Sequence, residues 1–153
     1  FRRVLFRSPL LMTWIVLLDR RRGRLLDVGV TKMDSPHVEE FDVLEDTWEE
    51  REHLRQAPSL SPDRGSHTDW SGQERERRRR FARKAVDWMA HHVQMRGLEE
   101  LTVFCAPGLL SELRAAVPVP LAARLDVRKG DYVGLPLPKL ARHSALQTLL
   151  AKA

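Results

Sequence analysis

SGQERERRRRFARKAVDWMAHHVQMRG, residues 71–97, is the stretch from which the rest of the chain can be ordered. Phe81, Ala85, Trp88, Met89 and His92 recur at helical spacing and form one apolar face. Arg77, Lys84, Asp87 and His91 fall mainly on the other faces. Ser71 and Glu74 have the spacing of a capping box, in which the serine accepts an amide proton while the glutamate reaches back. Gly97 is placed to end the helix, because glycine adopts the left-handed conformation without steric cost. A long helix is therefore expected here, with everything else arranged around it.

Upstream, TWIVLLD reads as a short buried strand, and RLLDVGV follows after a turn marked by Gly23. After the turn signal MDSP, HVEEFDVLED alternates imperfectly through Val38, Phe41, Val43 and Leu44 as a third strand. Three strands with tight connections read as an antiparallel meander. Residues 55–70, RQAPSLSPDRGSHTDW, are rich in Pro, Ser, Gly and Asp and read as a long loop. Downstream, LEELTVFCA is a buried strand and PGLLSELRAAV a helix opened by Pro107. LAARLDVR reads as a last strand, KGD as a turn and LPKLARHSALQTLLAKA as a C-terminal helix. The order βββ-α-β-α-β-α implies an α/β fold, a mixed sheet with helices packed on its faces. That order is the one of the ribonuclease-H-like architecture, which by itself decides no function.

A hydrophobic content of 42% beside 31% charged residues is ordinary for one soluble domain of 153 residues. The single cysteine, Cys105, cannot form an internal disulfide, so a reduced cytoplasmic setting is expected. The apolar run Leu10–Leu18 is far shorter than the ~20 residues of a membrane-spanning helix. It also lacks the small-residue pair of an export signal. Phe1–Ser8, FRRVLFRS, is similar to a translation of the end of a short-read sequencing adapter, TTC AGA CGT GTG CTC TTC CGA TCT, codon by codon. Residues 1–11 are therefore set apart as a non-native segment, with Met12 as the natural start and 12–153 as a single domain. Without Arg2, Arg3 and Arg7, Lys+Arg falls from 26 to 23 against 21 acids, and the net charge of +5 becomes +2. So small a surplus does not indicate a nucleic-acid binder on its own.

Local charge is more informative. RERRRRFARK, residues 75–84, offers Arg75, Arg77, Arg78, Arg79, Arg80 and Lys84 as a contact surface for RNA, a ribosome or an acidic partner. The competing reading is a solvated face paired through Glu74 and Glu76. Asp34 to Glu52 carries nine acids against one arginine, so the basic helix is also offered a partner within the molecule. His67, Thr68 and Asp69 form a candidate functional loop ahead of the helix, where free amides favour anions. Turn stabilisation is the competing reading there. Asp19, closing the first strand, is a pocket candidate. With His67 and Asp69 it would serve a metal-dependent hydrolase. A two-metal nuclease needs converging carboxylates, yet the fourth strand ends in Cys105-Ala106 and no acid follows Pro136. His91 and His92 point in different directions from a helix and cannot chelate together. No second His/Cys pair has metal-ligand spacing, so no metal and no cofactor are expected. Cys105 in an apolar strand reads as inert packing.

MTWIVLLDRRRGRLLDV, HTDWSGQERERRRRFARKAVDWM and LEELTVFCAPGLLSELRAAVP together resemble the bacterial host attachment protein family. The resemblance runs from Met12 to about Leu150 and is most specific at His-Thr-Asp followed by the charged run into Phe-Ala-Arg. Trp70 stands where that family usually has proline. The family in turn resembles the middle domain of archaeal and eukaryotic class-one release factors and Pelota. The releasing Gly-Gly-Gln loop has no counterpart here, since Gln73 follows a single glycine. The resemblance implies a non-enzymatic protein with a part in attachment to host cells, direct only if exported by a route not visible in the sequence. The alternative it implies is a ribosome- or RNA-associated factor contacting its partner through Arg75–Lys84.

Overall fold

A computed structural model describes residues 13–30, 36–46 and 66–152 of the chain. Residues 1–11, most of the MDSP turn and residues 55–65 of the expected loop lie outside the described residues.

Five strands form one mixed sheet: β1 (Thr13–Leu18), β2 (Arg22–Val30), β3 (Pro36–Glu45), β4 (Leu101–Cys105) and β5 (Leu125–Lys129). Their spatial order is β3-β2-β1-β4-β5. The β1–β2 and β2–β3 pairs are antiparallel, and β1–β4 and β4–β5 are parallel. The first hairpin closes on Asp19, whose Oδ1 accepts the amides of Arg21 at 2.8 Å and Arg22 at 2.7 Å. An aspartate holding its own turn in this way makes three consecutive arginines compatible with a sharp reversal.

Helix α1 (Ser66–Arg96) follows the meander, α2 (Pro107–Ala116) and the four-residue α3 (Val119–Ala122) lie between β4 and β5, and α4 (Leu137–Arg142) and α5 (Ser144–Lys152) close the chain. Side chains alternate along β1, so two cores form on opposite faces of the sheet. Val16 and Leu18 pack with Leu25, Phe81, Ala85, Met89, Leu109 and Leu113 beneath α1 and α2. Ile15 and Leu17 pack with Leu26, Phe104, Leu140 and Leu146 beneath α4 and α5. All five residues of β4 are buried, as a central strand covered on both faces must be.

Gly97 ends α1 as its position in sequence implies. Its φ is 61°, its amide meets the Gln94 carbonyl, and the Leu98 amide bonds to the Val93 carbonyl at 3.0 Å. These two bonds are those of a Schellman motif, which satisfies carbonyls left open at a helix end.

Several boundaries differ from expectation: β2 begins at Arg22 with Gly23 inside it rather than marking the turn, β4 begins at Leu101 rather than Leu98, and three helices are redrawn. Helix α1 starts at Ser66 rather than at Ser71, so residues 66–70 are its first turn and not a loop. Ser66 and Asp69 repeat in sequence the three-residue spacing of Ser71 and Glu74. The last strand begins at Leu125, because Pro118 and Pro120 start the short helix α3 over residues expected to be strand. The C-terminal helix is broken at His143, whose backbone is extended (φ −68°, ψ 136°). The His143 Nδ1 accepts the Ala145 amide at 3.1 Å and so caps the next helix.

Candidate functional site

Of the arginines and lysine named in the sequence as a contact surface, Arg75, Arg79, Arg80 and Lys84 lie on an exposed face of α1 that also includes Arg83. Six arginines share three carboxylates among the described residues. Glu74 meets Arg20, Arg77 and Arg78, Glu76 meets Arg79, Arg80 and Arg83, and Arg79 also reaches Glu112 on α2. Arg77 and Arg78 turn inward, with side chains 13% and 26% exposed. Arg79, Arg80 and Arg83 stand out at 52%, 57% and 62%. Arg83 was not among the residues singled out in the sequence, although it sits one turn from Arg79 on the same ridge. Arg75 and Lys84 are exposed as expected, and Lys84 Nζ donates to the Glu45 carbonyl at 2.9 Å.

Several guanidinium groups bridged by one carboxylate are held in place while retaining open N–H donors, since each offers five. Arg75, Arg79 and Arg83 follow one another at four-residue spacing, about 6 Å apart along the axis. A groove of about 310 Å³ runs beside them, lined by Arg79, Arg83, Glu112, Ala115 and Ala116. Within β3, Glu40 pairs with Arg24 on its own sheet, and Asp42 is committed elsewhere.

Asp42 Oδ2 accepts from Trp88 Nε1 and faces His92 Nε2, both at 2.8 Å. Arg96 Nε donates to His92 Nδ1 at 3.4 Å, so Nε2 carries the proton given to Asp42. Burial works to raise the Asp42 carboxyl, but hydrogen bonds from Trp88, His92 and the Val43 amide outweigh it and hold its pKa below the ordinary 3.8. A carboxyl depressed on folding stabilises the fold fully above its unfolded pKa, and loses that contribution as pH falls through the lower folded value. Asp42→Ala is expected to cost about 1–3 kcal/mol near neutral pH, mostly by stranding the donors of the buried His92 and the half-buried Trp88. The loss should shrink in urea titrations carried out well below pH 3.8. A variant penalty that is the same at both pH values would contradict this account.

Asp19 lines a cleft of about 450 Å³ with Arg20, Arg21, Pro107, Gly108 and Asp131, at the C-terminal ends of β1 and β4. Its carboxylate already holds the hairpin turn. Cys105 is the register partner of Leu18 beside it. Burial first, then the charge of Asp19, push its thiol up to about 12 against the opposing pull of Arg114, so it is held as the neutral thiol. Among the described residues no group of three or more His, Cys, Asp or Glu is arranged to hold a metal ion. His67, Thr68 and Asp69 belong to the first turn of α1 rather than to a loop, and their side chains lie outside the described residues. No helix among the described residues is long and apolar enough to cross a membrane.

Asp27, Asp42 and Arg96 are the residues that sequence reasoning passed over. Asp27 had a signal, being an acid inside the apolar run RLLDVGV. Trp88 and His92, four apart on the apolar face, gave another, since both carry polar tips that need a partner when buried.

Together these features define a small mixed α/β domain whose densest chemistry is a basic helix face bordering a groove. The chain belongs to the bacterial archaeo-eukaryotic release factor family 12, whose model matches residues 12–143. The match agrees with the expected kinship to release factors and is to this family rather than to the host attachment family that the motifs resemble. No curated protein matches the chain.

Proposed function

We propose that this protein is a non-enzymatic, ribosome- or RNA-associated factor that docks through the exposed arginines of α1. One observation carries the reading: Arg75, Arg79 and Arg83 stand in a row at four-residue spacing, Arg79 and Arg83 held by Glu76, with Arg80 and Lys84 beside it, and the row's charge exceeds that of the carboxylates bridging it among the described residues. Such a row suits phosphate, because guanidinium gives planar, paired hydrogen bonds to phosphate oxygens. Phe81 is buried and no other aromatic residue stands in the row, so the contact would be to the backbone, which positions a partner without reading sequence. The family assignment supports the same reading.

The central strand β1, antiparallel to β2 and parallel to β4, is consistent with a ribonuclease-H-like arrangement, which is how we read the fold. A cytoplasmic location goes with a ribosomal partner. A part in attachment to host cells rests on the motif resemblance alone.

Cosedimentation with ribosomes tests the reading. The protein should pellet with ribosomes at about 50 mM salt and be released by about 200 mM, as displaced counterions return to the phosphates. Absence from the ribosomal fraction at the lower salt would sink it.

A further inference from the structure

Away from the arginine row, a buried carboxylate and an arginine lie near one another without a direct ion pair. Asp27 is only 4% exposed, and its Oδ1 has no hydrogen-bond partner. In register it lies between Trp14 on β1 and Glu39 on β3. A bulge in β3 leaves Phe41 without a register partner on β2, and its ring sits 5.0 Å from that of Trp14. Bulges commonly re-aim a side chain in this way. Arg96, the last residue of α1, places its guanidinium 4.6 Å from the Trp14 ring centre and 5.1 Å from that of Phe41. Among the described residues no carboxylate lies within ion-pairing distance of Arg96, and its one polar side-chain contact is the 3.4 Å bond to His92.

We propose that Trp14, Asp27, Glu39 and Phe41 form a receptor for an arginine side chain of an extended, arginine-rich segment of a partner protein, which adds along the free edge of β3. Arg96 demonstrates the binding mode: a planar guanidinium fits against these two rings, where cation–π attraction holds it. Held by the two rings and one long hydrogen bond, without an ion pair among the described residues, Arg96 can be displaced by an incoming group. That group would gain what Arg96 lacks, the open oxygen of Asp27 with Glu39 alongside. Burial first, then Glu39, raise the Asp27 pKa above its ordinary 3.8, against His37 and Arg96. β3 ends the sheet, and its outer edge carries no strand among the described residues, which leaves main-chain groups for β-addition. The acids of β3, Glu39, Glu40, Asp42 and Glu45, would steer a basic chain toward it.

The same carboxylates repel nucleic acid, so this face is distinct in partner from the α1 row. A second copy fits less well, because, of this chain's arginine clusters, Arg75–Arg83 is helical and Arg20–Arg24 is already committed to the β1–β2 hairpin.

The test uses the full chain and fluorescent, end-blocked octa-arginine and octa-lysine peptides in anisotropy titrations at low salt. Octa-arginine should bind more tightly than octa-lysine, and Phe41→Ala and Asp27→Asn should each weaken it about tenfold. Asp27→Asn should at the same time raise the thermal midpoint, since it removes a buried charge. Stability and binding moving in opposite directions is something a purely structural role does not produce. Should Asp27→Asn fail to fold, Phe41→Ala still decides. Equal affinity for the two peptides, unchanged affinity in both variants, or no binding would overturn the proposal. So would a concentration-dependent dimer that Phe41→Ala dissolves, because that result assigns the face to a second copy. Neither variant touches the α1 row, so this proposal and the ribosomal reading fail independently.

Discussion

Replacing Phe81 with alanine should destabilise the fold by roughly 3–5 kcal/mol, the usual cost of truncating a buried phenylalanine. Phe81 follows directly on four consecutive arginines, yet it is 1% exposed and among the largest fully buried side chains. It belongs to the core that joins α1 to Val16, Leu18 and Leu25 on the sheet and to Leu109 and Leu113 on α2. Removing the ring leaves a cavity among side chains held by the sheet and two helices, which is costly to the extent that they cannot close it. The expected result is a lower urea midpoint with an unchanged slope, since the surface exposed on unfolding is nearly the same. A loss below about 1 kcal/mol would mean that α1 is not anchored there, and that the row of arginines has no fixed platform.

The second large effect concerns that row. The triple substitution Arg75→Gln, Arg79→Gln, Arg83→Gln removes three charges while keeping three residues that favour helix. Glutamine avoids placing new acids beside Glu76 and Glu112, where charge reversal would add repulsion within the fold. Stability should therefore change little, because exposed pairs of this kind are each worth well under about 1 kcal/mol. Ribosome affinity should fall by roughly a hundredfold or more near 0.1 M salt, if each arginine neutralises one phosphate. Equal thermal midpoints in the two proteins would show that the weaker binding comes from the surface and not from unfolding.

How much of this was legible in the sequence depends on the range of the interaction concerned. The strands, the long helix and the glycine that ends it follow from local periodicity and from the φ that Gly97 must adopt. Boundaries governed by competing local signals are not decided locally. Ser66-x-x-Asp69 and Ser71-x-x-Glu74 carry the same cap spacing, and nothing in the neighbouring residues ranks them. The division of the arginines into inward Arg77 and Arg78 and outward Arg79 and Arg83 depends on Glu74, Arg20 and Glu112, two of which belong to distant segments. The Asp42–Trp88–His92 network joins residues about fifty positions apart, and the contact of Arg96 with Trp14 joins the two ends of the meander-to-helix unit. Such pairs become visible only when the bulge at Phe41 fixes the register of β3.

The salt dependence of ribosome binding, measured for the native protein and for the triple glutamine variant, tests the central claim most directly. The claim predicts that the slope of log affinity against log salt becomes shallower by about 3 in the variant, one for each phosphate that the missing arginines no longer neutralise. An unchanged slope, or binding by neither protein at low salt, would contradict it.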